Sequence, residues 1–195
     1  MRTVWGYDVD QLDPIISWDE FHDRTNGAYI DNPRAESALY AASQAVRNYC
    51  GWHVCPSVTC TIHPQGGDKV LKLPVGYVSA ITSVTEDGVA LDSGQYEWRH
   101  DGLMRRACFR RWSPRWDGIE VVCAAGYDVD AVPDLSEAVC AIAAGVLSVA
   151  AGVVSESADG VSISYSQSAS SIAAGLTAQQ KTALEAYKVV SSHGA

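Results

Sequence analysis

The chain has 195 residues, of which 47% are hydrophobic and 19% charged, and its formal net charge is -9. That length suits one large domain or two small ones, and the composition excludes a disordered chain, a collagen-like chain and a multi-span membrane protein. The acidic balance excludes general affinity for nucleic acid, which needs many Lys and Arg to neutralise phosphates.

Residues 1–31 carry Trp5, Trp18, Phe21 and Tyr29 among acids, and Ser17-x-x-Glu20 predicts a short capped helix within an N-terminal acidic arm. Asn32-Pro33 supplies a cap followed by Pro at the first helical position. Ala35, Leu39, Ala42, Val46 and Tyr49 then recur at helical spacing until Gly51, which predicts a first main helix over 33–50. Between 57 and 127 the chain breaks into strand-length pieces: SVTCTIH, KVLKL, YVSAITSVTE, QYEWRH, LMRRACFRR and IEVVCAAGY, with turns at Asp87-Gly88 and Asp101-Gly102. They predict five to six short antiparallel strands.

Asp134-x-x-Glu137 after Pro133 reads as a second capping box, opening a helix over 134–151 that is apolar all round and therefore buried on most faces. Ala141 and Gly145, and Ala144 and Ser148, form a stripe of small residues where another helix can approach closely. The 18 uncharged residues Ala138–Ser155 have the length of a membrane span, but they are rich in Ala and Gly and only weakly hydrophobic, so a buried helix is expected and no membrane contact. Residues 155–175 read as a Ser-rich loop in which VSISY is either a strand or a mobile segment. Thr177-x-x-Gln180 caps a last helix over 177–190, where Leu184, Tyr187 and Val190 share a face and Lys181 and Lys188 do not. The expected fold is α+β, with a helical core of three main helices and an antiparallel β region of five to six short strands inserted between the first and second of them. An arm over 1–31 and a domain over 32–195 complete the expected organisation.

Charge is unevenly spread. Residues 1–36 hold eight acids against Arg2, Arg24 and Arg34, whereas Arg99, Arg105, Arg106, Arg110, Arg111 and Arg115 face only Asp101 within 99–115. Opposite patches on one chain suit contact with a second copy, or with a partner of complementary charge. Extended by one residue at each end, to 98–116, the run holds Trp98, Trp112 and Trp116, so two readings are open. Guanidinium groups and indoles bind nucleic acid, and they are also enriched at protein interfaces. Arg doublets along a strand point to both faces, which favours the protein contact.

No catalytic, cofactor or metal site is expected. Cys50, His53, Cys55, Cys60 and His63 bring five soft ligands together, but their spacing is not that of paired zinc ligands, and a helix ends among them. Gly-Tyr-Asp-Val-Asp occurs at 6–10 and 126–130 without continuing as a calcium loop, since Pro133 stands where that loop needs Gly. There is no G-x-S-x-G, no phosphate-binding Gly loop and no carboxylate pair set by motif. Without a charged n-region before an apolar h-region, no signal peptide is expected, and the six Cys should remain free thiols in a reducing cytoplasm. Cys108, Cys123 and Cys140 lie in apolar stretches as small hydrophobes.

The layout of NPRAESALYAASQAVRNYCGWHV, LPVGYVSAITSVTEDGVALDSGQYEW, AGYDVDAVPDLSEAVCAIAAGVL and GVSISYSQS followed by GLTAQQKTALEAYKVV resembles the head-to-tail connector (adaptor) proteins of long-tailed bacteriophages over residues 15–190. It departs from them in its Trp- and Asp-rich start, and its β region is larger than in the smallest, all-helical members. The resemblance implies a structural virion protein made in the host cytoplasm, about twelve copies of which form a closed ring beneath the portal. Such a ring extends the channel through which genomic DNA passes without sequence-specific binding, and presents a lower face to the next neck, stopper or tail protein. It places the subunit or portal interface on Arg99, Arg105, Arg106, Arg110, Arg111 and Arg115 and on Lys181, Tyr187 and Lys188. Another neck or tail-completion protein is the nearest alternative, and a nucleic-acid-binding module using residues 98–116 the more distant one.

Overall fold

The computed structural model describes residues 2–31, 33–148, 155–158, 161–164 and 176–189. The chain divides into two compact units. A sheet unit comprises Met1–Leu12, Cys50–Asp128 and Tyr187–Ala195, and a helical unit comprises Asp13–Tyr49 and Val129–Ala186.

The strands of the sheet unit are β1 (Asp8–Val9), β2 (Val58–Ile62), β3 (Val70–Lys72), β4 (Val78–Glu86), β5 (Val89–Ala90), β6 (Tyr96–Trp98), β7 (Leu103–Arg106) and β8 (Ile119–Ala125). They form a five-stranded sheet in the order β1-β2-β8-β4-β5 and a three-stranded sheet in the order β3-β7-β6, antiparallel throughout. The six strand-length pieces of the sequence correspond to β2, β3, β4, β6, β7 and β8, and the two-residue β5 completes the hairpin at Asp87-Gly88. Both turn residues have positive φ, 53° and 80°, the geometry that Asp-Gly adopts at least cost between twisted strands.

Alternation sets the inner face. In β8, Ile119, Val121, Cys123 and Ala125 are buried while the residues between them are partly exposed. Cys60 and Ile62 of β2 stand opposite Cys123 and Val121. Two register shifts in β4 preserve the parity that keeps both Val78 and Val84 inside. Full burial of each such aliphatic side chain stabilises by roughly 1.5–3 kcal/mol.

The helical unit contains α1 (Trp18–Arg24), α2 (Pro33–Cys50, whose last residue belongs to the sheet unit), α3 (Pro133–Ser148) and α4 (Ala178–Leu184), with a hairpin of β9 (Ser155–Ala158) and β10 (Val161–Ser164). The fold is thus α+β, with helices accompanying an antiparallel β region. Ser17 Oγ accepts from Glu20 N, and Thr177 and Gln180 form a full reciprocal capping box. α3 begins at Pro133 rather than Asp134. Proline's preset φ suits the first helical position, and this leaves Asp134 in the first turn, where its charge favours the helix dipole.

Ala35, Leu39, Ala42 and Val46 on α2 are buried, as are Leu135, Ala138, Val139 and Ala143 on α3 and Leu184 on α4. Among the described residues nothing lies within 4 Å of the position a Cβ would take on Gly145, so the small-residue stripe leaves open space there. The hairpin occupies part of the expected Ser-rich loop, with VSIS of VSISY as a strand. The remainder of that loop, residues 149–151 of the expected second helix, and Val190 lie outside the described residues.

Residues 1–31, expected as one arm, contribute to both units. Tyr7 and Val9 are buried in the sheet unit, and β1 adds to the β2 edge with Val9 opposite Cys60. Ile15, Ile16 and Phe21 are buried in the helical unit.

Candidate interaction site: the arginine and tryptophan loop

The segment between β7 and β8 has the chemistry of a contact surface, and its shape follows from a few buried groups. The strand expected across LMRRACFRR ends at Arg106. A 3-10 turn at Ala107–Phe109 follows, in which Cys108 and Phe109 take φ of 57° and 54°, values strained for side chains of this kind. Trp112 then turns inward and is 1% exposed. Its backbone N–H donates to the Asp68 carbonyl at 2.9 Å, and its carbonyl accepts from Gly67 N at 3.2 Å.

Glu86, at the end of β4, ties the loop from below. One carboxylate oxygen accepts from Ser113 N at 2.7 Å, and the other lies 3.2 Å from Arg106 Nε. Arg106 is 8% exposed, also donates to the Gln95 carbonyl at 3.1 Å, and sits 5.7 Å from the Trp112 ring centroid. In the adjoining turn, Asp87 accepts from Ser113 Oγ at 2.9 Å while its own N–H donates to the Gly118 carbonyl. Anchored at Trp112, Ser113 and Gly118, the loop displays Phe109 (67% exposed), Arg110, Arg111, Arg115 and Trp116 (87% exposed).

Each arginine singled out in the sequence has a definite place. Arg99 pairs with Asp101 at 2.8 Å, and Arg105 pairs with Glu97 at 2.6 Å. Arg111 lies 3.8 Å from Asp68 and donates to the Gly67 carbonyl, and Arg115 lies 3.6 Å from Asp87. Arg110 is exposed and makes no ion pair among the described residues. Arg106 is an internal strut. The surplus of positive charge expected over 99–115 is therefore largely balanced, because Asp68, Glu86, Asp87 and Glu97 come from elements outside that run. Trp112, being buried, offers no ring on which a base could stack.

The C-terminal candidates have partners of their own. Lys181 is exposed on α4, and its carbonyl accepts from Tyr49 Oη at 3.3 Å. Tyr187 meets Tyr127 edge-on at 5.7 Å, and its carbonyl accepts from Trp52 Nε1 at 2.7 Å. Lys188 is exposed, and the next residue's N–H donates to the Cys50 carbonyl at 3.0 Å.

Four of the five residues in the Cys and His cluster are core material, and the fifth, His63, is exposed. His53 is fully buried, with Nε2 donating to the Ala125 carbonyl at 2.9 Å and Nδ1 satisfied by the Tyr7 hydroxyl at 2.7 Å. Cys50, Cys55 and Cys60 are buried free thiols, and among the described residues no three His, Cys, Asp or Glu side chains gather as a metal-binding group. Burial, reinforced by Cys123 and Asp10, pushes the Cys60 thiol up to about 12, and burial alone takes Cys123 to about 12. Cys108, expected as a small hydrophobe, is exposed, because β7 ends two residues before it. Among the described residues no helix is long and apolar enough to cross a membrane.

The sequence reading did not single out Glu86, Asp87, Phe109 or Val70 for this site. Asp87-Gly88 was legible as a turn, but nothing local marked it as the foot of a loop beginning twenty residues later.

No family model matches the chain, and no curated protein is similar to it in sequence. Solved structures are similar in fold. The chain matches one in a structure of the neck of a native GTA particle computed with C12 symmetry, with a TM-score of 0.63 and 16% identity over 97% of this chain and 98% of that one. The two chains share a fold. A second match is to the neck of an empty GTA particle computed with C6 symmetry, at a TM-score of 0.62 and 17% identity over the same shares of both chains. At these identities the likeness is one of fold, and it spans both units and nearly every element of the chain.

Proposed function

We propose that this chain is a structural protein of the head–tail neck of a tailed phage or GTA-like particle, in which about twelve copies close a ring. That ring docks beneath the portal, continues the DNA channel and presents its lower face to the next neck, stopper or tail protein. The observation supporting this reading is the near-full-length likeness to chains of neck structures computed with twelvefold and sixfold symmetry. Its work is binding and geometry, with no reaction. An acidic chain suits a DNA conduit, because a wall that bound phosphates would slow the passing genome.

In this reading Arg99, Arg105, Arg110, Arg111 and Arg115 face a neighbouring subunit or the tail, with Arg106 holding their loop from inside. Lys181, Tyr187 and Lys188, within the segment 177–190, face the portal. The acidic arm over 1–31 and the connector domain over 32–195 are the functional divisions that go with it. The protein acts in the virion neck after synthesis in the host cytoplasm. Negative-stain imaging across a concentration series, alone and with the portal protein encoded nearby, tests the reading. Rings of about a dozen subunits, or an added collar on the portal, are expected. A protein that stays monomeric and ignores the portal overturns it.

A further inference from the structure

A groove of about 330 Å³ opens against the β3-β7-β6 sheet, lined by Val70, Trp98, Leu103 and Met104 and flanked by Glu97 and Arg105. Val70 at its mouth is 55% exposed, a large apolar side chain left open to solvent. The Arg105 guanidinium lies 5.2 Å from the centroid of the Phe109 ring, and the exposed Arg110 follows Phe109 in the chain. The rim ion pairs Arg105–Glu97 and Arg99–Asp101 are solvent-exposed and individually weak, so they can be shared with an incoming carboxylate at little cost. The groove therefore suits an apolar side chain carried between acids.

The helical unit offers such a segment. It holds twelve acids against four bases, and so carries nearly all the net charge of the chain. Within it, Ile30 is 82% exposed beside the exposed Asp31. Glu36 and Tyr40 follow one turn apart on the exposed stripe of α2, with Tyr40 at 48% exposure. Two exposed large apolar groups, with Asp31 and Glu36 close to them in the chain and Arg34 the one base between those acids, suit a groove rimmed by arginine in both polarity and charge.

We propose that this groove receives Ile30 of a second copy of the chain, with Asp31, Glu36 and Tyr40 of that copy around it. Ile30 enters over Val70 and Leu103, and Asp31 and Glu36 meet Arg105 and Arg110. Two different patches in contact make a heterologous interface, which closes into a ring where the rotation allows. The proposal rests on the ring reading above and names the surfaces that build it.

The test is sedimentation velocity with negative-stain imaging of the full chain, as wild type and as V70D, I30S, R110E, E36R and R110E/E36R, each checked for a wild-type circular dichroism spectrum. Wild-type rings are expected, with assembly weakened about tenfold or more in each single variant and regained in the charge-swapped pair. Normal assembly of V70D, I30S and R110E would overturn the groove as the interface while leaving the ring reading standing. Single variants that fail with no recovery in the pair would overturn the Arg110–Glu36 contact. A wild type that does not assemble, even with portal protein, would overturn the ring reading and this interface together.

Discussion

The two units solve the same packing problem with different material. The sheet unit fills its core with Trp52, Trp112, Tyr7, Ile62 and Ile119, and nearly balances its charge with ten bases and eleven acids. The helical unit buries no tryptophan or tyrosine among the described residues, sets Ala35, Ala38, Ala42, Ala138 and Ala143 among Ile15, Ile16, Phe21, Leu39, Leu135 and Leu184, and holds twelve acids against four bases. A core built on large anchors holds a long irregular loop in place, because one side chain fills a deep site and fixes the backbone on either side of it. Buried alanines on a helix let backbones approach closely, and a larger side chain there must displace its neighbours. The two should therefore fail in opposite directions, one to truncation and the other to enlargement.

The largest effect is expected from Trp112→Ala. Emptying that site should lower stability by about 3–5 kcal/mol in urea unfolding, because the lost contacts and the residual cavity add. The untied loop should also become the first site of limited proteolysis. A loss below about 1 kcal/mol would mean that Glu86 and Asp87 hold the loop without the anchor.

Ala143→Leu is the matching change in the helical unit. Ala143 is fully buried on α3, and added methylenes in a close-packed core cost about 1–3 kcal/mol. Thermal unfolding measures the loss, and a neutral outcome would show that the alanine core holds unfilled space.

A smaller effect, absent at neutral pH, separates the thiols. Cys60 and Cys123, raised to about 12, stay protonated in the fold while the same thiols in the unfolded chain ionise near their ordinary value. The unfolded state then binds fewer protons, so their contribution is fully present below about pH 9 and is lost as pH rises towards 12. Cys60→Ala/Cys123→Ala should flatten that alkaline fall in stability, read from urea midpoints between pH 8 and pH 11. An unchanged slope would assign the fall to other groups.

Much of this molecule was legible from local sequence. The α2 stripe, the Thr177–Gln180 cap, the Asp87-Gly88 turn and the alternation in β8 depend on residues only a few positions apart, where helix and strand periods and turn stereochemistry act directly. The ion pairs of the Arg run were hidden for the opposite reason. Its balance lies in Asp68, Glu86, Asp87 and Glu97, which reach it only through strand pairing and loop closure. The inward turn of Trp112 was equally hidden, since an aromatic beside arginines reads the same whether it anchors a loop or is displayed on one. Phe109 and Trp116, three residues before and four after it, are exposed.

By itself, then, the sequence determined the order of helices and strands, the caps and turns that delimit them, and the acidic excess of the residues that become the helical unit. Only the tertiary structure decided which arginines are struts and which are displayed, which tryptophan is an anchor, and where an apolar groove opens beside them. Secondary structure is governed by short-range stereochemistry and periodic burial. The fate of a charged or aromatic side chain depends instead on partners distant in the chain, and on the desolvation cost that selects among them.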